Sequence, residues 1–495
     1  MRCKQLYTGR IGQVGLVYMP QGVARGNVRA DLGVASGMAE VFRANGSGAA
    51  LKQGMKPLGL RIEVRRSSAG EELEPRGKRS AGRNTSRIAT MANTTELSAP
   101  GPKYDIADLS IAGVTGLMLA YTVLFLCVLP MIGKLAGGRD FVVYWASGQQ
   151  LVHHANPFDG DAMLRIEQAA GLDTKFRVGL MRNPPWAMTL AYPLGFIGLR
   201  AGALLWSLVL LGCLLVSVLM LWRMHGRPGN CLHWLGFSFA PALLCVSMGQ
   251  TSLFVLLGYV LFLRLHRKHQ FLAGISLWLC ALKPHLFLVF GVVLLAWILL
   301  SKSYKILAGA AVAMAASCAA VYFIDPAAWS QYAQMMHTYG IETEPIPCLS
   351  IMLRLWLSPQ AMWLQFLPAA LGCAWALGYF FTRRHTWDWM KDGSLLMLVS
   401  ILVAPYCWII DESLAIPALL QGAYLTRFRP LLAVLALASV VIEAELMSGC
   451  KLFSNSYIWT APAWLVWYLC ATWNRGMQTM GDHNGEVEDA LQARR

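Results

Sequence analysis

The chain of 495 residues is short of charge, and above all short of acid. Only 14% of its residues are charged, and no Asp or Glu occurs from Pro184 through Ile324. Soluble domains carry about a quarter charged residues, so a water-facing globular surface is excluded for most of the length. Cys-x-x-Cys pairs are also absent. The 12 Cys lie mostly within apolar runs, where they read as small buried hydrophobes rather than metal ligands. Cys348 and Cys450 fall in outer loops, where a disulfide is open. The first 90 residues lack a spanning apolar run and lack a secretory signal of the usual layout.

Hydrophobicity is what the chain has in excess. It is 56% hydrophobic, with a mean hydropathy of +0.47. Repeated apolar runs of bilayer-spanning length make it an all-α polytopic membrane protein. The net charge of +15 is not one basic patch, which argues against nucleic acid as a partner. The basic residues cluster between apolar runs, at Arg223 with Arg227, Arg264 to Lys268, Lys302 with Lys305, Arg383-Arg384, Arg427 with Arg429, and Arg475. Placing all of these on the cytoplasmic side gives roughly 12 spans with both termini inside. That count reads 184–199 as re-entrant or flat on the membrane, because its Pro-Pro start suits a long helix poorly. It also reads 271–300 as two short helices. The first span is 111–132, and a long first extracytoplasmic loop of about 50 residues follows it.

Three regions are expected. Residues 1–90 are aperiodic and basic, either a disordered extension or the product of a start assigned upstream of Met91. Residues 104–475 form the membrane domain, and 476–495 a polar cytoplasmic tail. The bilayer is thus the first partner of this chain.

Five patterns recur on the outer ends of spans. They are Asp140-Phe-Val-Val-Tyr144-Trp-Ala-Ser-Gly148 with Asn156-Pro-Phe-Asp159, Asn183-Pro-Pro-Trp186, Gly249-Gln-Thr-Ser252, Lys283-Pro-His285, and Ala404-Pro-Tyr-Cys-Trp-Ile-Ile-Asp411. Polar groups at membrane depth are costly unless they have a task, so sites converging on one face read as one cavity. Each residue has a plainer reading beside this one. Asp140 is also a suitable N-cap for a helix over 141–152. Gln250 and Thr251 also suit a helical hairpin turn. Lys283 can snorkel to headgroups, and Asp411-Glu412 can be a solvated loop. Tyr144, Trp145 and Trp186 read as an interfacial aromatic belt.

In this order the patterns resemble bacterial glycosyltransferase family 87, formerly a domain of unknown function, within the membrane-embedded C-type (GT-C) superfamily. The resemblance covers about residues 110 to 430 and rests on Asp140 with Phe141 and Tyr144, Pro184-Pro185, Gly249-Gln250, Lys283-Pro284, and Pro405-Tyr406 with Asp411. His285 replaces the usual Gln, and Ile410-Asp411-Glu412 replaces the usual Tyr-Asp-Leu. The resemblance implies a GT-C-like bundle in the bacterial inner membrane with an extracytoplasmic active site. It implies transfer of a sugar, a hexose such as mannose, from a polyprenyl-phosphate carrier to an envelope glycan or glycolipid. Asp140 would be the general base and Lys283 would hold the lipid phosphate, with His285 adding a hydrogen bond. Gln250, Asp411, Tyr144 and Tyr406 would complete the substrate site. No Gly-rich nucleotide loop and no metal cluster is evident, so neither a soluble nucleotide-sugar donor nor a cofactor or metal is expected. A transporter or flippase is the rival class, but no internal repeat supports it.

Overall fold

In the computed structural model, residues 139–172, 178–339, 346–448, 452 and 454–473 are described, with a few positions of a helix between 113 and 123. The expected extension at 1–90, the tail at 476–495, most of the first span, Glu342, Glu344 and Cys450 lie outside the described residues.

Every described regular element is a helix. They are α1 (Arg139–Val152), α2 (Gly160–Ala169), α3 (Leu199–Met224), α4 (Ala240–Met248), α5 (Ser252–Leu265), α6 (Gln270–Cys280) and α7 (Leu288–Ser301). There follow α8 (Tyr304–Ile324), α9 (Ala328–Thr338), α10 (Leu349–Leu357), α11 (Trp363–Arg383), α12 (Asp392–Val403), α13 (Ile416–Leu425) and α14 (Pro430–Met447), and then α15 over 460–473. Five helical stretches are long and apolar enough to cross a membrane, over Leu199–Met224, Pro284–Ser301, Tyr304–Ile324, Trp363–Arg383 and Pro430–Met447. The 26 residues of α3 extend about 39 Å, more than a hydrocarbon core. Its exposed Leu204, Leu208, Leu211 and Leu215 form an apolar flank suited to lipid.

Several expected spans are shorter than a bilayer. Helices α5, α6 and α12 are apolar but only 14, 11 and 12 residues long. Among the described residues, the expected 12 spans, several of them short, meet five helices of full spanning length and a set of shorter apolar ones. The 271–300 stretch is two helices, as expected, because Pro284 cannot continue α6 and instead opens a new turn. Residues 184–199 hold no spanning helix, only the short turns Pro185–Ala187, Met188–Ala191 and Tyr192–Phe196.

The region after the first span is no plain loop. Helix α1 lies against the 188–196 turns, and the approach is as close as backbone allows. A Cβ on Gly148 would strike the carbonyl of Ala191, and one on Gly195 would strike the carbonyl of Gly148. Gln149 and Trp145 then donate to the carbonyls of Gly195 and Ile197, at 2.7 and 2.8 Å. Helix α1 is thereby held against these turns, and Asp140 sits in its first turn.

At the opposite end of the bundle, Arg267 pairs with Asp388 at 2.6 Å. Asp392 accepts from Tyr379 there at 2.9 Å. Trp389, fully buried, packs against Phe262, Phe290 and Trp297 below them. This basic end ties the turn after α5 to the link between α11 and α12. It leaves the other ends of those helices to frame the site.

Candidate functional site

Four chain breaks meet at one end of the bundle, and each break has a local cause. Helix α4 ends at Gly249, whose φ of +72° is left-handed. Glycine is required there twice, because a Cβ would also lie 2.6 Å from Phe141 Cβ on α1. Helix α6 ends at Cys280. Lys283 leaves the helical region, at φ −136° and ψ 68°, because Pro284 disfavours a helical conformation in the residue before it. Helix α12 stops at Val403, and Ala404 is extended before Pro405 for the same reason. The fourth break is Asn183-Pro184-Pro185. Its Asn183 Nδ2 and Trp186 Nε1 donate to the carbonyls of Leu282 and Ala281, at 3.0 and 2.9 Å. Those carbonyls would otherwise be orphaned at the end of α6.

The freed side chains form one connected network. Gln250 Nε2 donates to Asp140 Oδ2 at 2.8 Å. Gln250 Oε1 accepts from Lys283 Nζ at 3.0 Å, from the Tyr144 hydroxyl at 3.2 Å and from the Thr251 amide at 3.3 Å. Lys283 Nζ also donates to Ser252 Oγ at 2.9 Å and to Asp411 Oδ1 at 2.6 Å. Ser252 Oγ donates to the same Oδ1 at 2.6 Å, and the Trp408 amide donates to Oδ2 at 3.0 Å.

Burial divides the network into a wet and a dry half. Asp140 and Gln250 are half-buried. Lys283 and Asp411 are 7% and 1% exposed, so their ion pair is an interior one. Burial by itself would raise the carboxyl pKa of Asp411. The Lys283 ammonium, the His285 ring and the hydrogen bonds from Lys283 and Ser252 together outweigh it and hold Asp411 below the usual carboxylate range.

The expected site residues therefore come together, in arrangements that differ from the expected ones. Asp140 occupies the first turn of α1 rather than capping it. Tyr144 is buried and bonded to Gln250, so it is no interfacial belt residue. Trp145 and Trp186 likewise spend their indole N–H groups on internal carbonyls. Lys283 does not snorkel, because all three of its protons find oxygen. Asp411 has both oxygens engaged instead of facing solvent. His285 stacks on Tyr406, ring centroids 3.7 Å apart and 24° from parallel, and its buried Nε2 has no hydrogen-bond partner. Cys348 is a free thiol.

Ser252 was missed as a site residue, although it closes the Gly249-Gln-Thr-Ser motif. Its position opening α5 was the available signal. Glu412 was missed as well. It is 4% exposed, accepts from Thr460 Oγ1 at 2.6 Å and from Trp464 Nε1 at 2.7 Å, and ties the site segment to α15. Nothing in its flanking sequence marks it as different from a loop acid.

No curated protein and no solved structure matches the chain. Residues 182–405 contain Gln250, Ser252, Lys283 and His285, while Asp140 and Tyr144 precede them and Tyr406 and Asp411 follow. From residue 182 to residue 405, this chain matches glycosyltransferase family 87.

Proposed function

We propose that this protein is a membrane glycosyltransferase that moves a sugar, a hexose such as mannose, from a polyprenyl-phosphate carrier to an acceptor glycan or glycolipid. The observation that carries the reading is the chain Asp140–Gln250–Lys283–Asp411. It gathers a half-exposed carboxylate and a buried charged support at the bundle end opposite the basic residues. The family match over 182–405 supports the reaction class.

The proposed chemistry uses few groups. The acceptor hydroxyl oxygen attacks the anomeric carbon while its proton passes to Asp140. The bond from that carbon to the carrier phosphate oxygen breaks, and the lipid phosphate leaves with the electron pair. A positioned base contributes roughly 100- to 10,000-fold to such a step. Tyr406 and His285 form a stacked wall two residues beyond Lys283, suited to the face of a sugar ring.

With basic residues facing the cytoplasm, Asp140 faces outward and both termini lie inside. Membranes holding the protein should transfer radiolabelled mannose from polyprenyl-phosphate mannose to lipid or glycan acceptors. Asp140→Asn should lower the transfer by roughly 100- to 10,000-fold. Full transfer by Asp140→Asn would refute the assignment of the base.

A further inference from the structure

We infer that Lys283, with Ser252 and Asp411 behind it and Gln250 in front, is a positioning device for the Asp140 carboxylate rather than an anion ligand. The inference rests on the glycosyltransferase reading for what Asp140 does. Its geometry stands without that reading.

The first argument is an inventory of protons. An ammonium has three N–H donors. In Lys283 they point to Gln250 Oε1, Ser252 Oγ and Asp411 Oδ1. A phosphate oxygen could be held only by breaking one of these. The ammonium is also neutralised by a carboxylate at 2.6 Å in a site 9% and 1% exposed on its two side chains. Its charge is therefore spent inside the protein.

The second argument is the direction of the Gln250 amide. A glutamine side chain has an oxygen that accepts and a nitrogen that donates, and the two ends can exchange by rotation. Here the oxygen faces three donors, Lys283 Nζ, Tyr144 Oη and Thr251 N. Rotation would turn an N–H₂ group onto an ammonium, which is forbidden by like donors and charge. The N–H₂ group is therefore held toward Asp140 Oδ2. Lys283 sets the amide, and the amide sets the carboxylate. Tyr144, one helical turn after Asp140 on the same face, clamps the same amide from the α1 side. Ser252 and Asp411 hold the ammonium in turn. Asp411 is itself held by the Trp408 amide, which anchors the relay to the 404–411 segment.

Two sets of variants test this. Gln250→Leu cuts the relay and leaves the ion pair intact. Lys283→Met combined with Asp411→Asn removes both charges, so neither is left buried alone. With polyprenyl-phosphate mannose as donor, each should lower kcat about 10- to 100-fold, the scale of a misplaced reacting group. The donor KM should stay within about threefold. Combining the two sets should add no further loss, because both act through one path. A tenfold or greater rise in donor KM with kcat retained would make Lys283 a phosphate ligand and overturn the inference. So would additive losses.

If wild-type protein transfers no sugar from this donor, the proposed function fails, and the relay is read directly. Cryo-electron microscopy of Gln250→Leu in nanodiscs should then show the Asp140 carboxylate turned away from its present position. An unmoved carboxylate would overturn the relay whatever the reaction.

Discussion

Glu412 offers a test of the interior electrostatics that does not depend on the substrate. Its two oxygens accept from Thr460 Oγ1 and Trp464 Nε1. Thr460 Oγ1 also contacts the Tyr457 carbonyl at 2.7 Å. Thr460 has one proton for these two acceptors. If Glu412 is ionised, one of them goes without. If Glu412 carries a proton, it donates to Thr460, Thr460 donates to Tyr457, Trp464 donates to the second oxygen, and every group is satisfied. The segment 404–415 links helices α12 and α13, and burial there pushes the Glu412 carboxyl from its ordinary value of 4.5 to about 8.

The sign follows from proton binding. Between pH 4.5 and about 8 the folded protein holds a proton that the unfolded chain has lost. Stability therefore falls as pH rises through that window and levels off above it. At pH 7 the unfolded group is 2.5 units past 4.5, so the loss is on the order of 3 kcal/mol. Glu412→Gln reproduces the neutral network, with its N–H₂ donating to Thr460 and its oxygen accepting from Trp464. Thermal unfolding followed by a thiol-reactive dye should give matching midpoints for the two proteins near pH 5. At pH 8.5 the variant should be more stable by several degrees. Equal midpoints at both pH values, or a variant less stable at pH 8.5, would show that Glu412 is ionised and refute the reasoning.

Three further outcomes are expected. Asp140→Asn keeps the size of the side chain and removes the base, so transfer from polyprenyl-phosphate mannose should fall by roughly 100- to 10,000-fold with the unfolding midpoint nearly unchanged. Lys283→Met alone strands the Asp411 carboxylate and should cost about 3 to 5 kcal/mol in denaturant unfolding; adding Asp411→Asn should recover most of it. Gly249→Ala should cost about 1 to 2 kcal/mol for the left-handed backbone alone, and more for the Cβ pressed against Phe141. It should also depress kcat, because α1 carries Asp140, and transfer at the wild-type rate would contradict that coupling.

The pattern of apolar runs determined that this is a helical membrane protein, because spanning length and charge exclusion are local properties of sequence. The breaks were legible too. Gly249, Pro284 and Pro405 interrupt helices through their own backbone chemistry, so the positions of Gln250 and Lys283 beside helix ends followed without a structure, whereas Asp411 lies inside the turn Ile409–Ala415. The resemblance to family 87 likewise needed only motif order, and residues 182–405 match that family.

What pairs with what was decided by tertiary structure alone. Lys283 and Asp411 are far apart in sequence yet 2.6 Å apart in space, and no periodicity encodes that contact. A solvated loop and a buried acid share one composition, so Asp411 and Glu412 read alike until α5 and α15 supplied their donors. Where each helix begins and ends within the bundle was set in the same way. Helices α5 and α12 are only 14 and 12 residues long and buried along most of their length, and hydropathy along a chain does not record which neighbours cover them.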